Sequence, residues 1–574
     1  MMRKCRNRYM LLALAVVLGV IFLGHSKIYS IYTSRLIVSN IIQGELGSDD
    51  FEIAVGNACC GESVEADPYT KWWYNEDDDK YYLFLPKTWE EDKRVFWTFN
   101  CVDEIRIDDR VVRQGDFFGE KEGEYTILAS GNEYPLVVMY SGDIATMFLE
   151  TETGVLDYIH ESKEIIEAAD YTLFDHQGNL NNYGHIMEMA CRGNVSFKFV
   201  DKKSYRMKLQ EKTQMLDLGA ERDWILLANM LDRTLSRNII VNTMAKELDM
   251  DYVPDMTYVD LYANGEYIGN YVLAERIEVG DERVNIQDLS EANELANPGL
   301  DFASCEQVIE QPGKLFSRKW WKIPNEPEDY TGGYLMEIDM LDRYGLEASG
   351  FITTRMQGVV VHNPKYASLN QIGYIASMYQ DFEDALFSET GYNENTGKYF
   401  YEYIDIDSFV KKYMLEEVIK NLDASATSCF LYKPEYDTKM HAGPAWDYDG
   451  SIDIDRVAGN GVYLKDPEGF YVASKERDSD IWWALYQQDY FKEYVDKTFE
   501  SGFKDTVSDF VEEFIDENAK HILDSAMMNA VRWSRTEEGG YEATVEAFYD
   551  RNASLKNFLQ VRLEWLDEAW EYEN

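Results

Sequence analysis

Asp423 is the lone acid of residues 421–428, and Asp447 and Asp449 form an acidic pair about two dozen residues further on. Between them lie two short β-like runs, 429–433 and 439–442, joined by a polar turn around 434–437. Two such runs fold back on each other, so the spacing predicts a hairpin that brings the acidic positions together. A lone base beside a metal-holding acid is what phosphoryl transfer requires. One carboxylate positions the attacking hydroxyl, and the other holds the divalent cation that neutralises phosphate charge. Two simpler readings stand beside this one: Asp423 as a cap on backbone amides, and Asp447 with Asp449 as holders of structural Ca²⁺.

The elements that must position these acids are legible upstream. Residues 194–199 and 205–209 read as strands around a 202–204 turn, and the second bears Lys208. A helix is expected over 224–248 from the spacing of Leu231, Leu235 and Ile239. A hairpin follows, 258–262 and 267–273, around Asn264-Gly265, the dipeptide favoured in type I′ turns. Glu275-Arg276-Ile277 then forms a short connector. Residues 281–330 read as a polar insertion or loop, and strands resume at 332–339 and 351–356. A helix capped by Asp407 or Ser408 and ending near Asn421 delivers the chain to Asp423. A fixed cation such as Lys208 on a strand ahead of these elements offsets nucleotide phosphate charge, and the connector would edge the base.

At 574 residues the chain exceeds one small core. Four segments are expected: 1–34, a basic stub and signal anchor; 48–145, a β-sandwich-like domain; 160–465, the part bearing the chemistry; and 466–574, a helical region packing on it. In the second, the Trp72–Tyr74 aromatics could stack on sugar, but an ordinary packed or surface role is the favoured reading. The net charge of −50 excludes a nucleic-acid partner, whose backbone would be repelled. Arg3, Lys4, Arg6 and Arg8 precede the uninterrupted apolar run 10–24. That pattern reads as an uncleaved membrane anchor with the remainder exported, or as a cleaved signal. None of the seven cysteines forms a C-x-x-C pair and no His sits at zinc-finger spacing. Structural zinc is therefore not expected, and Cys59 or Cys60 with Cys101 is the conceivable disulfide.

Set in order, the segments RGNVS (192–196), KKSYRMKL (202–209), DWILLANMLDRTLSRN (223–238), LYANGEYIGNYVLAE (261–275), GGYLMEID (332–339), KNLDASATS (420–428) and GPAWDYD (443–449) resemble the spore-coat protein H (CotH) kinase-like family. RWSR (532–535) extends the resemblance into the tail. The resemblance implies an α+β fold: an atypical protein-kinase-like domain with an N-terminal β-sandwich-like domain and a helical C-terminal region. It implies transfer of phosphate from ATP, with Mg²⁺ or Mn²⁺, to Ser of a surface or secreted protein. Under it Asp423 is the catalytic acid, and Asp447 and Asp449 are the metal acids. Lys208 is the ATP-contacting lysine, with Lys198 and Lys203 as competitors, and Arg192, Asn194 and Ser196 approach phosphate. Glu275, in the connector, is assigned to the nucleotide. Ser428 stands where standard kinases keep a second metal ligand, Asn. The runner-up reading is an inactive kinase-like module retained for surface binding or scaffolding.

Overall fold

The computed structural model describes residues 50–58, 67–313, 315–424, 426–534 and 543–571. The expected anchor, Cys59, Cys60 and Arg535 of the RWSR segment lie outside the described residues. No helix among the described residues is long and apolar enough to cross a membrane.

The architecture mixes α and β. Near the N-terminus, strands Tyr69–Lys71, Ile53–Asn57 and Val95–Phe99 form one sheet, and Trp73–Asn75, Lys80–Leu85, Asn132–Tyr140, Gly123–Ala129, Glu104–Ile107 and Arg110–Arg113 form a second. Period-two alternation turns Ile105 and Ile107 inward while Glu104 and Arg106 face water. Trp97 and Phe99 of the first sheet share a core with Leu83, Leu85, Ile127 and Val138 of the second. Trp72 belongs to that core: it stacks on Tyr81 at 4.0 Å between centroids and donates its indole N–H to Glu52 at 3.0 Å.

Seven strands then close into a barrel in the order Ala145–Thr151, Glu167–Phe174, Leu180–Arg192, Ser204–Gln214, Ala220–Leu227, Glu266–Glu275 and Met256–Ala263. Parallel pairing of the first with the last closes the ring. Two sequence expectations are corrected here. Residues 194–199 are not a strand, because Gly193 at φ +90° turns the chain and Val195–Phe199 winds into one short helix. The 224–248 helix is in fact the strand Ala220–Leu227 and a separate helix, Arg237–Glu247. Trp224 and Leu226 fill the barrel, while Ile225 and Leu227 pack outside it. A strand buried on both faces reads as a continuous apolar run, which periodicity cannot tell from a buried helix.

The Asn264-Gly265 hairpin has positive φ at both residues, 52° and 77°, as a type I′ turn demands. Its tip docks the N-terminal sheets, where Lys71 N–H donates to the Gly265 carbonyl at 2.7 Å. A Cβ at Gly265 would stand 2.3 Å from the Tyr69 ring, so only glycine allows this approach.

The third layer is a seven-stranded sheet in the order Gln307–Glu310, Ser317–Trp321, Ser349–Ile352, Gly358–Asn363, Tyr334–Asp339, Cys429–Lys433 and His441–Ala442. Its first two strands, with helix Leu289–Ala296, lie inside the stretch read as a loop. Arg318 pairs with Glu310 directly across these strands at 2.7 Å, and Lys322 with Glu306 just beyond their ends at 2.7 Å. Helices Leu369–Leu386 and Ile406–Val418 cover the sheet. The cap of the second is Asp405, which accepts from Ser408 N at 2.9 Å, rather than Asp407 or Ser408. Helix Lys504–Arg532 runs along the barrel through Asn518–Tyr258, Ser525–Asp260 and Lys202–Asn529 hydrogen bonds. Helix Val545–Ala569 completes the chain's packing.

Candidate active site

A cavity of about 180 Å³ lies between the barrel and the third layer. Barrel strands supply Glu188, Lys208, Asp223 and Ile225, the connector supplies Arg276 and Ile277, and the facing side supplies His362, Phe430 and Trp446. The strands containing them pair Glu188 with Lys208 directly across, and the Lys208 ammonium stands 3.8 Å from the Glu188 carboxylate. Asp223, the other cross-strand neighbour of Lys208, is engaged by Arg276 at 2.9 Å. Of the competing lysines, Lys203 is spent on the carbonyls of Phe197 and Val200, and Lys198 is exposed on the short helix.

Glu275 is not in the cavity wall. Its carboxylate takes the buried Arg283 guanidinium at 2.5 Å and the amides of Gly219 and Asp255, both at 2.9 Å. A side chain at the end of a barrel strand alternates inward or outward, and here Glu275 pins two turns while Arg276 and Ile277 take the wall. Asn194 and Ser196 form part of the turn: Asn194 accepts from Lys163 at 2.9 Å, and Ser196 Oγ fills the space beside Gly193.

The hairpin does bring the acids together. Leu422 N–H donates to the Gly450 carbonyl at 3.0 Å, tying the Asp423 turn to the loop of Asp447 and Asp449. Ser428 Oγ donates to Asp447 Oδ2 at 2.9 Å while its own amide donates to Glu337 at 3.0 Å. Asp447 (φ +68°) and Ser428 (φ +55°) both hold left-handed backbone, a cost of about 1–3 kcal/mol each that surrounding contacts must offset. Those contacts are visible around Tyr448. Its amide donates to Asn238 Oδ1 at 2.8 Å, its hydroxyl meets Lys412 and Glu416, and Arg237 holds the Ile452 carbonyl at 3.0 Å. Arg192 lies over the Trp446 ring, 5.5 Å from its centroid, within the fields of Asp447 and Asp449.

Sequence reading missed several members of this centre. Glu337 and Asp339 share one face of strand Tyr334–Asp339, two residues apart. Glu337 accepts from His362 at 2.7 Å, and Asp339 accepts from Thr427 Oγ1 at 2.6 Å. The i, i+2 acids in an otherwise apolar strand were the available signal. His362, Asn238 and Lys163 carried none.

The electrostatics are those of crowded anions. Loss of water and the Asp447 charge push Asp423 up to about 6. Loss of water, then Asp447 and Asp423, push Asp449 up to about 8. Burial and Glu337 push Asp339 up to about 6. Carboxylates in that state repel one another, and a divalent cation relieves the repulsion, so the donor set fits Mg²⁺ or Mn²⁺. Among the described residues no three His, Cys, Asp or Glu side chains form a ready cage. Mg²⁺ needs only one or two protein carboxylates when substrate phosphates and water complete its octahedron.

The same shifts predict an acid-favoured fold. Asp260 is also pushed up to about 6, and Glu278 and Glu383 to about 7, each chiefly by burial. These groups hold protons in the folded chain at pH values where the unfolded chain has released them. Stability therefore falls as pH rises from about 5 to about 8. Thermal unfolding across that range should show a steadily falling midpoint, partly restored at the alkaline end by Mg²⁺. A flat or rising midpoint would contradict the assignment.

A family model described as CotH kinase protein matches residues 189–566, which includes every acid of this centre. No curated protein matches the chain.

Proposed function

The chain belongs to the CotH kinase protein family, and we propose that it transfers the γ-phosphate of ATP to a serine of a surface or secreted protein. One observation carries the reading: the Leu422–Gly450 backbone bond sets the Asp423 turn against the loop of Asp447 and Asp449, and Trp446, the residue before Asp447, lines a cavity together with Lys208 and Arg192. The barrel and the third layer then act as the two lobes of an atypical kinase-like domain, with ATP between them. Trp446, Phe430 and Ile225 supply the apolar surface a base requires.

Asp423 accepts the proton of the serine hydroxyl as its oxygen bonds to the γ-phosphorus. The bond from that phosphorus to the ADP oxygen breaks, and ADP leaves. Asp447 and Asp449 are the residues that would hold the divalent cation, which supplies charge neutralisation to the phosphates. Arg192 and Lys208 supply fixed positive charge from the opposite wall. Placement at a surface, held by the N-terminal segment, is part of the same proposal. The scaffold reading is favoured by one detail: Ser428 Oγ, where kinases keep Asn, consumes a lone pair of Asp447.

The test uses the purified chain with γ-labelled and α-labelled ATP, Mg²⁺ or Mn²⁺, and a panel of serine-containing proteins. Transfer of the γ-label alone, together with a nucleotide-dependent rise in thermal midpoint that Asp447→Ala abolishes, is the expected result. No label and no midpoint shift under either metal would leave the scaffold reading standing. Entry of the α-label would assign nucleotidyl transfer instead.

A further inference from the structure

His362, Phe430 and Trp446 reach the cavity wall from the side facing the barrel, and of these three only His362 can carry charge. Its strand, Gly358–Asn363, pairs with Tyr334–Asp339 as Val361 to Met336 and Asn363 to Leu335, so His362 is an extra residue with no opposite number. A bulge of this kind bends a strand and re-aims a side chain, and such bulges are enriched beside active sites. Glu337 and Phe430 lie directly across from each other on the next two strands. The imidazole meets both. It packs on the Phe430 ring with centroids 5.7 Å apart and planes at 29°, and its Nε2–H donates to Glu337 Oε2 at 2.7 Å. Nδ1 has no hydrogen-bond partner among the described residues, and the side chain is 30% exposed.

The other Glu337 oxygen, Oε1, accepts the Ser428 amide at 3.0 Å, and Ser428 Oγ donates to Asp447 Oδ2 at 2.9 Å. One carboxylate therefore fixes the imidazole and also the residue that holds a metal acid. Burial works against a charge on His362, but the hydrogen bond and charge of Glu337 outweigh it and lift the imidazole above its ordinary range. The acids that line the cavity already face cations: Glu188 stands against Lys208, and Asp223 is held by Arg276.

We propose that His362 donates its Nδ1–H to a phosphate oxygen of the bound nucleotide, and that Glu337 is the residue that positions it. The proposal rests on the transfer reading above. It adds a phosphate contact from the side of the metal acids, opposite the wall that carries Lys208 and Arg192. Three arguments select phosphate. An imidazole that gives Nε2–H to a carboxylate, and whose charge that carboxylate favours, offers the cavity a donor, and a phosphate oxygen accepts. The path from the ring to Asp447 runs through Glu337 and Ser428 alone, so the nucleotide group that suits this corner is the one the metal acids serve. A base role would need an unprotonated Nδ1, the state Glu337 disfavours, and a nucleophile nearby, whereas no Ser, Thr or Cys is among the described residues lining the cavity.

Titration calorimetry on the full chain tests the contact with Mg²⁺–ATP, Mg²⁺–tripolyphosphate and adenosine. Two variants divide the imidazole between them. His362→Gln places an amide at the Nε2 end and keeps the Glu337 contact; His362→Asn places one at the Nδ1 end and keeps a donor toward the cavity. His362→Gln should weaken ATP and tripolyphosphate by at least about tenfold, the loss expected for one hydrogen bond to a charged group, and leave adenosine unchanged. His362→Asn should retain more of that affinity while unfolding at a lower temperature. Glu337→Gln should lose part of the same affinity and add nothing to His362→Gln. A role confined to packing predicts the opposite order, with Gln harmless and Asn harmful. That order, or adenosine weakened as much as ATP, would overturn the contact. ATP bound equally by the parent and His362→Gln removes the contact and leaves the transfer reading. Tripolyphosphate bound through His362 by a chain that does not bind ATP keeps the contact and removes the transfer reading, and a parent that binds none of the three ligands removes both.

Discussion

Asp423→Asn lowers γ-phosphate transfer by a factor of about 10²–10⁴ while the metal–ATP midpoint shift persists, the magnitude expected for loss of a positioned base. The substitution is nearly isosteric and removes only the ability to take a proton. A structural role for this residue predicts something else. A cap would receive backbone amides, but among the described residues the Asp423 carboxylate accepts no hydrogen bond; its own amide is held by Asn421 at 3.2 Å. The carboxylate is instead crowded by Asp447 and deprived of water. Replacing it with a neutral amide relieves that repulsion, so the variant should unfold at a higher temperature than the parent. Activity lost and stability gained together mark a functional acid whose charge is retained against its own environment. Transfer at the parental rate, or a fall in thermal midpoint with activity lost in proportion, would remove Asp423 from the chemistry.

How far the sequence reached can be judged residue by residue. Local signals held. The 429–433 run, the Asn-Gly turn and the acid spacing are each decided within a few residues, and the strand Cys429–Lys433 has the bounds read for it. Signals that depend on distant partners did not. Trp224–Leu227 reads as a strand only once barrel neighbours cover both of its faces. Glu275 lies in a motif shared with the family, yet its side chain follows Arg283, eight residues later, away from the cleft. The partners that complete the acid centre come from far along the chain: Glu337 meets Ser428 across 91 residues, and Asn238 meets Tyr448 across 210. Spacing could mark Glu337 and Asp339 as paired acids in an apolar strand, but it carries no trace of which distant residues they meet.

The same limit applies to what keeps the acid centre in place, and here the expected effect is on stability. Glu417, in the helix that leads to Asp423, and Arg562, in the C-terminal helix, are both 0% exposed and meet at 2.7 Å. The Glu417 carboxylate also accepts the amides of Tyr471 at 2.7 Å and Ala473 at 2.8 Å. Arg562 donates to the Glu417 carbonyl and to those of Pro467 and Gly469, the latter two at 2.8 Å. Tyr471 in turn donates its hydroxyl to the Leu422 carbonyl at 2.9 Å, one residue from Asp423. One buried pair thus ties the catalytic turn, the segment after the metal acids and the C-terminal helix into a single body. Arg562→Met leaves Glu417 charged and without its partner, which costs about 3–5 kcal/mol. Glu417→Gln/Arg562→Met removes both charges and should recover part of that loss, because the desolvation penalty goes with them. Denaturant unfolding of the three proteins measures the difference. Arg562→Met within about 1 kcal/mol of the parent would place the pair among surface-like contacts and contradict its burial. A double variant no better than the single would show that the carbonyls of Pro467 and Gly469, rather than the Glu417 charge, are what Arg562 holds.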